Sequence, residues 1–285
     1  APRHDRPRGS DFVESGGQRE IVLRVLSAAT LAALALAATL YSQWTFLALV
    51  VVGGGVVAWE WARLTRGPDF DATALLATFS VAILAISVAM DRAGYGLFLV
   101  AAAATTIWFS RDRTFSRPWA IAGLLYAALP AAALMWLRND EAFGAAAVIY
   151  LFAVAWTTDT ASYAAGRLIG GPKLAPHISP HKTWSGFIAG ILAPSLVGYI
   201  AARVLESGSA LRLALVSMAL AIACQFGDLL ESWVKRRFGA KDSSRLIPGH
   251  GGLLDRIDGL MMAAVLAGLI ALRDPAAPGR GLLFW

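Results

Sequence analysis

The chain has 285 residues, of which 57% are apolar and only 15% are charged. A soluble domain usually carries about 25% charged and about 45–50% apolar residues. This balance therefore excludes a soluble globular enzyme, a disordered chain and a collagen-like fibre, and it points to an integral membrane protein. The single Cys224 excludes a disulfide framework and a Cys-based zinc site. The net charge of +6 reads, in a membrane protein, as cytoplasmic loop charge, so no nucleic-acid partner is expected.

Residues 1–20 are polar and mixed in charge, with Pro2, Pro7, Gly9, Gly16 and Gly17. They read as a flexible tail, because they cannot bury enough apolar surface to fold alone. A bilayer core about 30 Å thick needs about 20 apolar helical residues to cross it. Candidate runs follow at 21–41, 44–63, 72–90, 93–109, 118–137, 142–165, 184–204, 209–231 and 253–272. The first run is too long for a signal-peptide core and leads at once into another, so it reads as a retained helix. Turn chemistry separates the runs at Ser42-Gln43, Arg66-Gly67-Pro68, Asp91-Arg92, Ser116-Arg117-Pro118 and Asn139-Asp140. Long Ala, Leu and Val stretches without strict alternation argue for helices and against a β-barrel. The expectation is an all-α polytopic integral membrane protein of about nine transmembrane helices. Its N-terminal helices would occupy 21–137. A region at 138–285 would carry the polar chemistry, with cytoplasmic loops at 166–183 and 232–252.

Orientation follows from Lys and Arg placement. With a cytoplasmic N-terminus, the outer side holds only Arg92, Arg138, Arg203, Arg212, Arg273 and Arg280 of the 25 basic residues. Two spans separate the basic segments 166–183 and 232–252, so both loops should share the cytoplasmic side. Trp44, Trp59, Trp61, Trp108, Trp119, Trp136 and Trp184 fall near predicted span ends, as expected of an interfacial aromatic belt. Glu60 sits between Trp59 and Trp61. An intramembrane acid is a functional suspect, but hydration at the interface favours a structural role here.

Polar residues that are costly in a membrane concentrate in three places. In the segment 156–167, Asp159, Ser162, Tyr163 and Gly166 share one helix face. The connection 170–184 contains three prolines and two glycines, which prevent helix. It presents Lys173, His177, Ser179, His181, Lys182 and Thr183 at the membrane surface. The third place is 228–258, where Asp228, Glu231, Ser232 and Lys235 share a helix face and a Gly-rich basic loop follows. A new helix then carries Asp255 and Asp258. Carboxylates suit Mg²⁺, and cations with close backbone amides suit phosphate oxygens. Glycines 249, 251 and 252 would let amides approach an anion. On the residues alone, a metal-dependent phosphate enzyme and a transporter with an acidic relay both stay open.

The stretch from Ser232 through Lys235, Arg236, Lys241, Asp242, Pro248, His250, Gly251, Gly252, Asp255 and Arg256 to Asp258 resembles the signature of the phosphatidate cytidylyltransferases, or CDP-diacylglycerol synthases. The pattern is S-x-x-K-R-x4-K-D-x5-P-x-H-G-G-x2-D-R-x-D, without departure over 232–258. Upstream, Ser179-Pro-His-Lys182-Thr183-Trp184-Ser-Gly186 is similar to the family's S-P-x-K-T-W-E/Q-G, with Ser185 in place of the commoner acid or amide. Asp159, Ala161, Tyr163, Gly166 and Arg167 resemble the family's D-x-x-A-Y-x-x-G-R stretch, although here Ser162-Tyr163 follows Ala161. The resemblance covers roughly 140–272.

The resemblance implies a membrane nucleotidyltransferase that converts CTP and phosphatidic acid into CDP-diacylglycerol and pyrophosphate in phospholipid biosynthesis. It implies Mg²⁺ as cofactor and leaves a second cation open. The implied partners are CTP, phosphatidic acid and the lipid bilayer, with a homodimer left open. The site would face the cytoplasm from the inner membrane. The expected catalytic residues are Asp228, Lys235, Asp255 and Asp258, with Asp228, Asp255 and Asp258 binding metal. Ser232, Arg236, Lys241, Asp242, His250, Gly251, Gly252 and Arg256 are expected to bind CTP. Ser179, Lys182, Thr183 and Arg167 are expected to bind the lipid phosphate. Glu231 falls outside the pattern and is expected to face the interface. A related lipid or polyprenol kinase is the alternative enzyme, and a transporter the alternative of another class. A CDP-alcohol phosphotransferase is excluded, because Leu260-Met261-Met262-Ala263 follows Asp258-Gly259 where that family's motif would continue.

Overall fold

The computed structural model describes residues 10–67, 71–110, 116–247 and 251–285, with side chains in the first helix described from Leu26 onward. Among these residues the chain is almost entirely helical. The elements are α1 (Ser10–Tyr41), α2 (Gln43–Arg66), α3 (Ala72–Ala89), α4 (Ala93–Phe109), α5 (Arg117–Arg138) and α6 (Gly144–Leu168). There follow β1 (Lys173–Ala175), β2 (Ser179–Thr183), α7 (Trp184–Val204), α8 (Ala210–Arg237), α9 (Leu254–Ala271) and α10 (Pro278–Leu283). Each of the nine apolar runs has become a helix. Six of them, α2, α3 and α5 to α8, are long and apolar enough to cross a membrane. Helices α4 and the described part of α1 are apolar but shorter, and α9 carries Asp255, Arg256 and Asp258 in its first turns. The protein is thus a multi-helical membrane protein. Helix α1 begins at Ser10, inside the segment read from sequence as a polar tail.

Local chemistry fixes the helix starts. Ser42 and Thr45 form a reciprocal capping pair at α2. The Ala74 amide donates to Asp71 at α3 (2.7 Å), and the Gly186 amide donates to Thr183 at α7 (3.2 Å). Before α6, the amides of Ala142 and Phe143 donate to Asp140 Oδ1.

Helices α2, α3, α4 and α5 pack as one group, and α6, α7, α8 and α9 as a second, with α5 against α9 joining them. Small residues let the second group approach closely. A Cβ on Gly227 would overlap the Asp258 carbonyl, and one on Gly259 would press on Cys224. Helices α8 and α9 therefore meet backbone to backbone where Asp228 and Asp258 project.

The Pro- and Gly-rich connection after α6 forms a short antiparallel hairpin, pairing Lys173 with Thr183 and Ala175 with Ser179. Ser185, which received no role from sequence, fastens its base by donating to the Gly170 carbonyl (2.5 Å). Arg236 in turn donates to the Ile178 carbonyl (3.4 Å). The two basic connections therefore lie on the same end of the bundle, as the span parity predicts.

The aromatic-belt expectation needs correction at Trp61. Trp44, Trp108 and Trp184 are exposed, but Trp61 is only 4% exposed. Its ring packs on Tyr126 and Trp119, and Nε1 donates to the Trp119 carbonyl (2.8 Å). Gly123 leaves the space that the indole fills, because any Cβ there would overlap it.

Candidate active site

The C-terminal half of α6, the hairpin, the start of α7, the end of α8 and the start of α9 enclose a cavity of about 680 Å³. The sequence motifs meet here. Asp228 and Asp258 come from facing helices, and Lys182 reaches across from β2 to Asp228 Oδ2 (2.5 Å). Ser232, one turn after Asp228, donates to its Oδ1 (3.4 Å). Lys235 lies between two acids, with Nζ 2.8 Å from Glu231 Oε2 and 2.9 Å from Asp255 Oδ1. Arg167, Thr183 and Arg256 also line the cavity.

Asp255 is the most tightly held of the acids. It accepts the Ser243 amide, the Ser243 hydroxyl (3.0 Å) and the Gly252 amide (2.8 Å). Of the glycines expected to approach an anion, Gly249 lies outside the described residues, and Gly251 and Gly252 approach this carboxylate. Gly251 has φ +84°, and a Cβ on it would lie 2.8 Å from Asp255 Oδ2.

Not every expected residue reaches the cavity. Ser179, Arg236, Lys241, Asp242, Gly251 and Gly252 do not line it. Arg236 is spent on the Ile178 and Ala240 carbonyls, and Lys241 and Asp242 are exposed on the loop. His250 lies outside the described residues. Polar cavity residues missing from the expected set include Asp159, Ser162, Tyr163, His181, Gln225 and Glu231. Asp159 had a usable signal, since it shares a helix face with Ser162 and Tyr163, and both also line the cavity. Glu231 corrects an expectation: it is 1% exposed and faces Lys235, not the interface.

Glu60 corrects another. It is fully buried, not hydrated at an interface. Its carboxylate accepts the Ser244 hydroxyl (2.5 Å), the Leu253 amide (3.0 Å) and the Leu254 amide (2.6 Å). The first amides of α9 lack intrahelical partners, and a carboxylate there also meets the positive end of the helix dipole. Glu60 thus fastens the loop and the start of α9, and with it Asp255, to α2. Gly252 must be glycine for this to work, because a Cβ would overlap Ser243 Oγ and Glu60 Oε1.

Among the described residues, no group of three or more His, Cys, Asp or Glu side chains forms an all-protein metal cage. Mg²⁺ does not need one; it is usually held by one or two carboxylates together with substrate phosphates and water. The donor set fits that pattern. Asp228 and Asp258 open onto one cavity, and Asp255 is pre-oriented by hydrogen bonds, as metal-ligating carboxylates commonly are. Lysine ammonium groups neutralise Asp228 and Asp255 in this structure.

Fold and site together define a membrane-embedded centre for phosphate chemistry, with paired acids and bases at one end of a helix bundle. The chain belongs to the cytidylyltransferase family, whose model matches residues 22–272. It is 41% identical over 248 residues to a phosphatidate cytidylyltransferase of Brucella suis, covering 85% of this chain and 90% of that one. It is 35% identical over 175 residues to a phosphatidate cytidylyltransferase of Rickettsia bellii, covering 59% of this chain and 75% of that one. A Staphylococcus saprophyticus phosphatidate cytidylyltransferase is 40% identical over 140 residues, 49% of this chain and 54% of that one.

Proposed function

We propose that this chain transfers a cytidylyl group from CTP to phosphatidic acid, giving CDP-diacylglycerol and pyrophosphate. The observation that carries this reading is the shared cavity. It joins the Asp228–Lys182 and Asp255–Lys235 pairs to Arg167 and Arg256 at a helix-bundle end, where a water-soluble and a lipidic substrate can meet. The site would face the cytoplasm from a bacterial inner membrane, since CTP is cytosolic and the basic loops lie at this end.

In the reaction, a phosphate-monoester oxygen of the lipid attacks the α-phosphorus of CTP. A new phosphorus–oxygen bond forms, and the bond from the α-phosphorus to its bridging oxygen breaks. Pyrophosphate leaves with the bonding electrons. The attacking oxygen is already anionic, so no side chain must remove a proton. The obstacle is repulsion between the two anions, and the chain answers it with cations. Lys182 and Arg167 would hold the lipid phosphate. Lys235 and Arg256 would hold the triphosphate. Mg²⁺ held by Asp228, Asp255 and Asp258 would add charge neutralisation along the triphosphate. Phosphate oxygens can take the two lysines from their aspartates, which would give a metal room at Asp228 Oδ2 and Asp255 Oδ1.

The test is purified protein incubated with CTP, Mg²⁺ and phosphatidic acid. Pyrophosphate and CDP-lipid should appear together, and diacylglycerol should not substitute. Transfer of the γ-phosphoryl group from CTP to diacylglycerol, giving phosphatidic acid and CDP, would identify a lipid kinase instead. Flux of a solute without nucleotide chemistry would identify a transporter.

A further inference from the structure

A second cavity, of about 360 Å³, lies between α1, α2, α5, α6 and α9. Its volume is that of a small-molecule site, and its wall is apolar except at one end. Among the described residues that line it, only Asp159 and Arg256 are charged. Both also line the catalytic cavity, so the two spaces meet at that pair. Small residues create the room. Ala28, Ala32 and Ala35 line it from α1. A Cβ on Gly53 of α2 would meet nothing nearer than Leu253 Cδ2 at 3.9 Å. Protein interiors hold few voids larger than a water molecule, and an apolar one does not hold water well.

We infer that this cavity holds an acyl chain of the diacyl phospholipid substrate, with its head delivered past Asp159 and Arg256 into the catalytic cavity. This rests on the proposed function, which supplies an amphiphile with a phosphate head. The chain already lies in hydrocarbon before it binds, so transfer from water contributes little. The cavity acts by orientation: seating the tail fixes how far the phosphate enters and where its oxygens point. A short-chain lipid reaches the same head position without filling the cavity.

The test compares dioleoyl with dihexanoyl phosphatidic acid in purified wild type, Gly53→Leu and, on the α1 wall, Ala32→Leu. Both variants place a side chain in the cavity, and neither Gly53 nor Ala32 is itself assigned to catalysis or to head-group binding. For dioleoyl lipid, kcat/KM should fall by about tenfold or more. For dihexanoyl lipid and for the KM of CTP, the change should stay below about twofold. Equal losses on both lipids, or no loss on either, would overturn the acyl site while leaving the wild-type activity to stand. A phosphatidic acid with a photoreactive group at the end of its chain gives a readout independent of turnover. Adducts should map to 49–57 of α2 or 127–134 of α5. Adducts confined to outward residues such as Leu192 and Leu196 on α7, which are exposed, would overturn the proposal even in an active enzyme. If wild type makes no pyrophosphate from any phosphatidic acid, the functional reading falls, and the labelling still decides what the cavity takes.

Discussion

Glu60→Gln isolates the link between the two halves of the bundle. The substitution keeps volume and shape but removes the charge. Glu60 now accepts three hydrogen bonds with no exposure to solvent. A Gln has one acceptor oxygen, so its NH₂ group must face either the Leu254 amide or the Leu253–Ser244 pair, donor against donor. Losing a hydrogen bond to a charged group costs about 1.5–3 kcal/mol, and a buried unsatisfied amide about 1–3 kcal/mol. Losing the charge at the start of α9 adds about 0.3–1 kcal/mol. Relief from burying a carboxylate offsets part of this, leaving about 2–4 kcal/mol. The loosened segment carries the Ser243 and Gly252 amides that orient Asp255, and a displacement of about 1 Å can lower a rate by about 10²-fold. We therefore expect kcat to fall by about 10- to 10²-fold, together with a lower thermal midpoint in detergent. Glu60→Asp should do no better, since its carboxylate is withdrawn by about 1.5 Å. The measurements are pyrophosphate release under saturating substrates and thermal unfolding of the same preparations. Wild-type turnover by Glu60→Gln at an unchanged midpoint would refute the positioning role.

Three further outcomes follow from the geometry. Asp228→Asn and Asp255→Asn should each lower turnover by about 10²-fold or more at saturating Mg²⁺, while expression stays normal; near-normal activity at limiting Mg²⁺ would remove them from the metal site. Gly252→Ala should lower thermal stability and activity together, because its methyl overlaps Ser243 and Glu60; an active, fully stable variant would mean that the loop packs differently. In a Cys224→Ser background, cysteines at His177 and Arg245, both exposed, should react alike with impermeant reagents, and only from the cytoplasmic side. Labelling of one from outside and the other from inside would break the shared-face arrangement.

The helices were legible because the bilayer fixes length and composition together: each apolar run of about 20 residues became a helix. The site was legible where helical periodicity applies. Asp228, Ser232 and Lys235 follow one another on α8, and Asp255 and Asp258 on α9, so spacing alone places them on common faces. It failed in the loops. No period tells which way Ser179 or Lys241 turns, and they turned away from the cavity, whereas Arg236, one residue past Lys235 on α8, falls off the cavity face by the helical period itself. Motif spacing likewise could not show that Gly251 and Gly252 approach a carboxylate of the same chain. Glu60 is the deeper case. Flanked by Trp59 and Trp61 near a predicted span end, it looked interfacial. Its partners Leu253 and Leu254 lie 193 and 194 residues further along the chain, where no local pattern reaches. Yet a carboxylate at full burial needs several donors to be tolerable. A cheap supply of donors in a helical membrane protein is the unbonded start of another helix. The N-terminal helices therefore do more than thicken the bundle: through one acid, α2 sets the position of the loop and helix on which the signature residues stand.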